Sequence, residues 1–349
     1  MVQDYGILNK MAWIETHDKD GYKTIYKMNS VNGIGTMTVY KLFTGIELII
    51  NEFESTTCLC NVPKYDNIIE INHCQEGRQE CKLLNGSYLY LGEGDISINT
   101  INNCTNTMGF PLKYYKGISV LLYLDEFARD VPEILQDISI DIYGLKEKFC
   151  INNECFVMRT NDKIKNIFSE LYYVPKSAQK VYFKLKVLEL LVFLNIIDVS
   201  KKIQREYYSH QQVEIIKQIK NLITEDFKHR YTIQELAKEY CISQTTLKTY
   251  FKGIYGTSIA AYMKEYRMKQ AAIMLRETPN SIADIAISVS YESQSKFAAS
   301  FKEVIGISPL EYRKKCLVDG NALIGKKAGD VVEVDARGEK YKVEILEIL

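Results

Sequence analysis

The chain has 349 residues, 46% of them apolar, which is enough for two packed domains and a small third segment. Its 44 basic residues balance its 44 acidic residues, so net charge alone identifies no partner. The sequence contains neither a secretory leader nor an apolar run approaching the roughly 20 residues of a membrane-spanning helix. Its 9 cysteines are odd in number and lack the spacing of a disulfide framework, so we expect reduced thiols in a cytoplasmic protein without membrane association.

The chain up to about Asn161 has the pattern of strands and turns. Apolar and polar residues alternate in TMTVYKLF and IELIINEFES, and YLYL and ISVLLYLD are short apolar runs rich in β-formers. Glycine and asparagine separate these segments, as at Asn85-Gly86. Many short strands at this spacing predict an antiparallel barrel or sandwich.

The period then becomes helical. Apolar residues recur every three or four positions in NDKIKNIFSELYYV and in AQKVYFKLKVLELLVFLNIIDV, with Pro175 between the two segments. We therefore predict an antiparallel helical hairpin. The helix from Ala178 to Val199 has more apolar surface than one side of a hairpin needs, which indicates a homodimer interface, although packing on the barrel explains part of it. A polar linker is predicted at residues 201–210.

The segment from Gln211 to Cys316 has more basic than acidic residues, whereas the rest of the chain has the opposite excess, as suits a module that meets a polyanion. A first helix presents Ile216, Ile219 and Ile223 on one face. Thr232 and Glu235 then form the pattern of a capping box, and the helix IQELAKEY follows.

Two short helices joined by a tight turn are predicted twice in this segment. In the first pair, Ser243 caps QTTLKTYFKGIYG, which ends at Gly256. In the second, Ser281 caps IADIAISV and Ser293 caps QSKFAASFKEVIG. A long helix from about Ser258 to Glu277 connects the pairs. The doubled pattern predicts two helix-turn-helix units on one chain.

This repeat resembles the C-terminal domain of the AraC-type transcription regulators in order and spacing over about a hundred residues, including Pro309 and Arg313. The resemblance implies that two recognition helices enter adjacent major-groove segments of one duplex, about one helical turn apart. By position, it implies that these residues face the groove: Gln244, Thr245, Lys248 and Thr249 in the first helix, and Gln294, Ser295, Lys296 and Ala299 in the second.

The chemistry of these residues suits base recognition, because Gln can bond to adenine, Lys to guanine, and Thr or Ser to either. Further basic residues are candidates for phosphate contacts: Lys252, Lys264, Arg267, Lys269 and Lys302. Three positions depart from the family. Cys241 and Ser290 stand in the turns where the family often has glycine, so each turn must accept a residue with a Cβ atom. Ala299 has no hydrogen-bonding group, so the second helix is expected to read fewer bases.

The segment ahead of this domain resembles the cupin-like sensor and dimerisation module of many AraC-type regulators. NHCQEGRQECK and LGEGDISIN resemble siderophore-responsive members, so the implied small-molecule effector is siderophore-like or of another class. A metal-dependent cupin would need a His-x-His pair, and here the stretch contains only His73, so we expect no metal and no cofactor. His73 is read as a hydrogen-bonded strand residue, with ligand contact as the alternative. Zinc binding or oxidation sensing by Cys58, Cys60, Cys74 and Cys81 also stays open.

The last segment, with the strands VVEVDA and KYKVEILEI, resembles the end of the C-terminal domain of Gre-type transcript-cleavage factors. A structural hairpin is favoured over docking to RNA polymerase. The expected class is thus α+β: residues 1–200 form a β-rich cupin-like domain with a helical hairpin, 211–316 an all-α double helix-turn-helix domain, and 317–349 a β-hairpin tail.

The sequence therefore predicts a ligand-responsive, homodimeric regulator that binds double-stranded promoter DNA with RNA polymerase as a further partner, and not an enzyme. Two alternatives remain. One is an enzyme or a metal or thiol sensor fused to a DNA-binding domain, and the other is an RNA polymerase-associated factor that acts through the tail.

Overall fold

The computed structural model describes residues 13–17, 21–59, 67–131, 133–136, 140–151, 154–198, 207–321, 331–336 and 339–344. The chain divides into two compact units. The first comprises residues up to Glu214 together with Gly253–Gly256, and the second comprises the remainder. A β-rich unit is followed by a helical one, so the fold is α+β as predicted.

The first unit is built on antiparallel strands. Their bounds are β1 (Trp13–His17), β2 (Lys23–Ser30), β3 (Gly33–Phe43), β4 (Ile46–Ser55), β5 (Thr57–Leu59), β6 (Ile68–Leu83), β7 (Tyr88–Gly92), β8 (Asp95–Thr100), β9 (Cys104–Gly109), β10 (Tyr115–Tyr123) and β11 (Phe156–Arg159). The main path runs β1-β2-β3-β4-β10-β6-β8-β11, while β7 and β9 pair with β6 and β5 pairs with β9.

Strand β6 connects the two parts of this sheet because it changes partners along its 16 residues. Its first part pairs with β10 and β8, and its second part, from Arg78 onward, pairs with β7 and β9. Gly77 lies at the change with φ +80°, and a Cβ atom there would lie 2.2 Å from the Tyr114 carbonyl oxygen. Only glycine fits this bend.

The first unit also contains five α-helices: α1 (Leu124–Arg129), α2 (Glu133–Gln136), α3 (Ile142–Phe149), α4 (Asp162–Tyr172) and α5 (Gln179–Ile196). Helices α4 and α5 are the predicted hairpin. The first three were not predicted, because residues before Asn161 were read mainly as strands and turns. Helix α3 forms because Asp141 accepts a hydrogen bond from the Gly144 N–H at 2.7 Å and because Ile142, Leu145 and Phe149 bury one face.

The two faces of the sheet have different partners. On one face, residues such as Leu48, Ile71 and Val120 pack against α3, α4 and α5 in a continuous apolar core. On the other face, Phe53, Phe110 and Tyr115 belong to a second cluster. The second face is called the inner face below, and it also buries polar residues.

The elements that follow supply the second unit, apart from the first residues of α6 and the last residues of α8. They are α6 (His210–Glu225), α7 (Ile233–Glu239), α8 (Gln244–Tyr255), α9 (Ile259–Glu277), α10 (Ile282–Ser288), α11 (Gln294–Ile305) and α12 (Pro309–Asn321), followed by a hairpin of β12 (Val331–Ala336) and β13 (Glu339–Glu344). The predicted hairpin is confirmed for the described strands, and the end of the predicted strand KYKVEILEI lies outside the described residues. The tail was expected to begin at Leu317, but α12 continues to Asn321. No helix among the residues described is long and apolar enough to cross a bilayer.

Two further expectations for the first unit need correction. Cys81 and Cys104 form a disulfide with Cα atoms 6.2 Å apart, whereas only reduced thiols were expected. The two residues lie on the paired strands β6 and β9, which brings together thiols that are distant in sequence. The predicted linker is also partly structured, because Tyr208 pairs with Tyr88 of β7.

Candidate nucleic-acid interface

Helices α7 and α8 form the first predicted helix-turn-helix. The Thr232 hydroxyl accepts a hydrogen bond from the Glu235 N–H at 3.1 Å, and the Glu235 carboxylate accepts one from the Thr232 N–H at 2.7 Å. This is the predicted capping box. The Ser243 hydroxyl accepts a hydrogen bond from the Thr246 N–H at 3.0 Å, so α8 begins where the sequence indicated.

Helices α10 and α11 repeat the arrangement. The Ser281 hydroxyl caps α10 through the Asp284 N–H at 3.1 Å, and the Ser293 hydroxyl caps α11 through the Lys296 N–H at 3.4 Å. Gly306 ends α11 in the left-handed conformation with φ +92°. Both second helices thus start at a capping serine, and a capped N-terminus leaves other backbone N–H groups for an anion.

Each second helix has one buried face and one exposed face. In α8, Leu247 and Phe251 are fully buried, and in α11, Phe297 and Phe301 are fully buried. All eight residues predicted to face DNA are exposed: Gln244, Thr245, Lys248, Thr249, Gln294, Ser295, Lys296 and Ala299. Their exposure agrees with the prediction, while their contacts with bases stay a prediction.

The turns accept non-glycine residues in the left-handed region, as the sequence required. Cys241 has φ 52° and Ser290 has φ 66°. The second turn is held by side chains, because the Ser290 hydroxyl donates to the Lys228 carbonyl at 2.6 Å and Arg230 donates to the Ser290 carbonyl. Arg230 also lies over the Tyr291 ring, 5.6 Å from its centroid. The described bonds of the Cys241 side chain reach only the preceding helix, at Lys238.

The residues expected to contact phosphate fall into two groups. Lys252 and Lys302 are exposed. Arg267 instead donates to the Phe227 carbonyl at 2.9 Å and the His229 carbonyl at 3.2 Å, so it fastens the α6–α7 loop to α9. This role could not be predicted, because the sequence of a helix does not show whether a basic residue contacts a phosphate or a backbone carbonyl.

Two lysines of the second group are ion-paired within the unit. Lys264 lies 2.5 Å from Glu303, which joins α9 to α11, and Lys269 lies 2.7 Å from Glu265 on the same helix. These side chains are partly exposed, so the pairs add little stability. They do reduce the positive charge that α9 offers to a phosphate.

His73 is a packed, hydrogen-bonded strand residue, as the sequence analysis predicted. Its ring stacks on Phe168 with centroids 4.2 Å apart, and its Nδ1 lies 3.1 Å from the Tyr172 hydroxyl. Burial lowers the pKa of His73 to about 4, with a smaller contribution from Arg159. The side chain faces helix α4, away from the inner face of the sheet.

Three of the four candidate metal or redox cysteines lie in the part of the chain that the structure describes. Cys58 and Cys74 are buried, Cys81 is in the disulfide, and Cys60 lies outside the described residues. Burial raises the pKa of the Cys74 thiol to about 12, which makes it a poor nucleophile. Within the described ranges, no group of three or more His, Cys, Asp or Glu is placed to hold a metal ion.

Comparison with known proteins gives consistent matches for the helical region. Residues 236–315 match a family model described as a helix-turn-helix domain. The chain is 30% identical over 102 residues to the putative HTH-type transcriptional regulator YkgA of Escherichia coli (strain K12), covering 29% of this chain and 43% of that protein. It is 38% identical over 89 residues to a putative AraC-like transcription regulator of Streptomyces antibioticus, covering 26% of this chain and 29% of that protein.

Among solved structures, the C-terminal domain of AraT, a response regulator from Geobacillus stearothermophilus, is 30% identical, with 29% of this chain and 84% of that chain covered and a TM-score of 0.28. The chain spans less than half the length of both curated relatives described above.

Proposed function

Because the C-terminal part of this chain matches a helix-turn-helix family model and is similar to a putative AraC-like transcription regulator, we propose that the protein is a ligand-responsive transcription regulator that binds promoter DNA in a sequence-specific way. The two second helices, α8 and α11, read adjacent major-groove segments of one duplex. The observation that carries this proposal is the matching exposure of both predicted reading faces, each opposite a buried aromatic core.

The residues on these faces have complementary tasks. Gln244 and Gln294 lie at the first position of each helix, next to the capping serines, where a side chain reaches base edges while the backbone N–H groups face phosphate. Lys248 and Lys296 supply the positive charge and can bond to guanine. Ala299 gives the second helix an apolar contact in place of a hydrogen bond, so the first helix contributes more of the specificity.

The remaining parts of the proposal concern the partners. The first unit binds a small-molecule effector and passes the signal to the second unit, which then acts on transcription together with RNA polymerase in the cytoplasm. Helix α5 has exposed apolar residues at Val181 (65% exposed), Leu185 (53%) and Ile196 (70%), which supports a homodimer through this helix. The chain acts by binding and has no catalytic role.

Charge reversal on the reading faces tests the DNA-binding proposal. DNA selected by the full-length protein from a random pool is the probe, and the variant is Lys248→Glu/Lys296→Glu. We expect the Kd to rise by about 100-fold or more, because a lost base contact costs about 1–3 kcal/mol and each new carboxylate repels phosphate.

The matched control is Lys165→Glu/Lys176→Glu, which makes the same change in net charge at exposed positions of the first unit. It should leave the Kd within a fewfold of the wild-type value, since long-range repulsion is screened at physiological salt. Equal Kd values for the wild type and the Lys248→Glu/Lys296→Glu variant would contradict the proposal.

A further inference from the structure

Polar side chains form two rows across the inner face of the sheet. In the first row, Glu47 of β4, Leu121 of β10, Glu70 of β6 and Asn99 of β8 are register partners in succession. The second row lies two residues away from the first on each strand. Its members, in the same strand order, are Ile49, Ser119, Asn72 and Ser97. Directly opposed residues of neighbouring strands share a face of the sheet, so these side chains all lie on the inner face.

A hydrogen-bond network connects the second row with its neighbours. Asn51 donates to the Ser119 hydroxyl at 3.1 Å, and Ser119 lies 3.3 Å from Asn72 Oδ1. The Tyr115 hydroxyl donates to the same Oδ1 at 2.9 Å. It reaches this position because residue 117 is a glycine, where a Cβ atom would lie 2.3 Å from the Tyr115 oxygen. The network is therefore built into the fold.

The network leaves one buried acceptor without a donor. Asn51 is 5% exposed, and its Oδ1 has no hydrogen-bond partner. Ser119 has one hydroxyl hydrogen but contacts two acceptors, Asn72 Oδ1 and the Glu70 carboxyl. A buried acceptor without a donor is unfavourable, so a ligand that supplies donors would be stabilised here.

Two carboxyl groups lie on the same face of the sheet as this acceptor. Burial raises the pKa of Glu70, opposed only by neutral hydrogen-bond partners, Ser119 and Asn99. Burial also raises the pKa of Glu47, whose carboxylate accepts a hydrogen bond from Tyr123 at 2.9 Å. Glu47 and Glu70 are half-buried as whole residues. A cation beside their carboxyl groups would favour the ionised carboxylates.

We propose that the inner face binds a small organic amine, whose ammonium group is held by Glu70 and whose other hydrogen-bond donors reach Asn51 Oδ1 and Glu47. This inference rests on the proposed function, in which the first unit senses a small molecule, and it names the chemical class of that molecule. A neutral polyol would satisfy the acceptors but would leave the carboxyl groups without a counter-charge, and an anion would be repelled.

Three four-carbon probes distinguish these classes on the full-length protein: 1,4-diaminobutane, 1,4-butanediol and butanedioate. The readout is the midpoint of thermal unfolding together with calorimetric titration, since a ligand that binds only the folded state raises that midpoint. We expect stabilisation by the diamine and none by the diol or the dianion.

The variants test which residues hold the amine. Glu70→Gln should weaken diamine binding at least about tenfold, since it removes the charge and keeps the shape. Asn51→Ala should weaken it severalfold without touching Glu70. Glu54→Gln is the matched control, because Glu54 is an exposed residue of the same strand, β4, and this variant should bind as the wild type does.

Failure of the inference is separable from failure of the proposed function, because DNA affinity is measured on the same samples. Stabilisation by the diol equal to that by the diamine overturns the amine proposal, as does unchanged diamine binding by Glu70→Gln or the absence of binding by all three probes. Diamine binding that leaves DNA affinity unaltered supports the site and contradicts the sensor role.

Discussion

The two units place their polar side chains in opposite ways. In the first unit, Asn51, Asn72 and Ser119 turn into the inner face of the sheet, where they are buried. In the second unit, Lys248 and Lys296 stand on the outside of helices whose aromatic residues are buried. An enclosed polar face suits a small molecule, which has to be surrounded to be bound, whereas an exposed polar face suits a duplex. The difference supports the proposal that the first unit senses a small molecule and the second unit reads DNA.

The largest expected effect is on stability, and it comes from comparing a buried residue of α11 with its exposed neighbour. Phe297 is fully buried and its neighbour Lys296 is exposed. Phe297→Ala should lower the free energy of unfolding by about 3–5 kcal/mol through cavity formation. Lys296→Glu should change it by less than about 0.5 kcal/mol. Chemical denaturation measures both, and equal losses would mean that α11 has no separate reading face.

The stability of the first unit is expected to depend on pH. His73 has a pKa of about 4 in the folded protein, below its usual 6.5, because it is buried. The unfolded chain therefore takes up this proton first as pH falls, so stability is lost between about pH 6.5 and pH 4. The full loss is about 3 kcal/mol. Denaturant titrations across this range should show the fall in the wild type and a smaller fall in His73→Gln. Identical profiles would contradict the assignment.

The disulfide also distinguishes the units, since Cys241 and Cys316 of the second unit are free. The Cys81–Cys104 bond joins residues separated by 23 positions. Its reduction should destabilise the first unit by about 3 kcal/mol, since the cross-link restricts the unfolded chain. Thermal unfolding with and without dithiothreitol measures this. The Cys81→Ser/Cys104→Ser variant should not respond to the reductant, and a wild type that also does not respond would show that the bond is absent.

The smallest expected effects compare the two turns of the second unit. Cys241→Gly should stabilise the protein by up to about 1 kcal/mol, because glycine adopts positive φ without the steric cost. Ser290→Gly should gain less, since it also removes the hydrogen bond to the Lys228 carbonyl, worth about 1 kcal/mol. Denaturation midpoints of both variants test the order. The reverse order would mean that the side-chain bonds of Ser290 do not hold its turn.

The helical unit could be predicted well from the sequence, because its signals are local. The Thr232–Glu235 capping box and the serine caps at Ser243 and Ser293 are each decided within four residues, and all are found in the structure. The repeat of these signals predicted two helix-turn-helix motifs, whereas a single motif would have been ambiguous. The eight residues that the family resemblance implies are exposed, while their base contacts still require a complex with DNA.

The first unit was predicted only in outline, because its important features depend on contacts between distant residues. The alternation in IELIINEFES predicted a strand but not that Asn51 faces inward with Ser119, 68 residues away. The disulfide was missed for the same reason, since the pairing of β6 with β9 brings its cysteines together. Helix α3 was missed because eight residues are too few for a clear period.

The most direct test of the central claim is a hydroxyl-radical footprint of the full-length protein on its selected DNA. We expect each bound chain to protect two blocks whose centres lie about 10 base pairs apart, as two helices in successive major-groove segments require. Lys248→Glu should remove one block and Lys296→Glu the other. A single block that survives both substitutions would contradict the claim that this chain reads DNA with two helices.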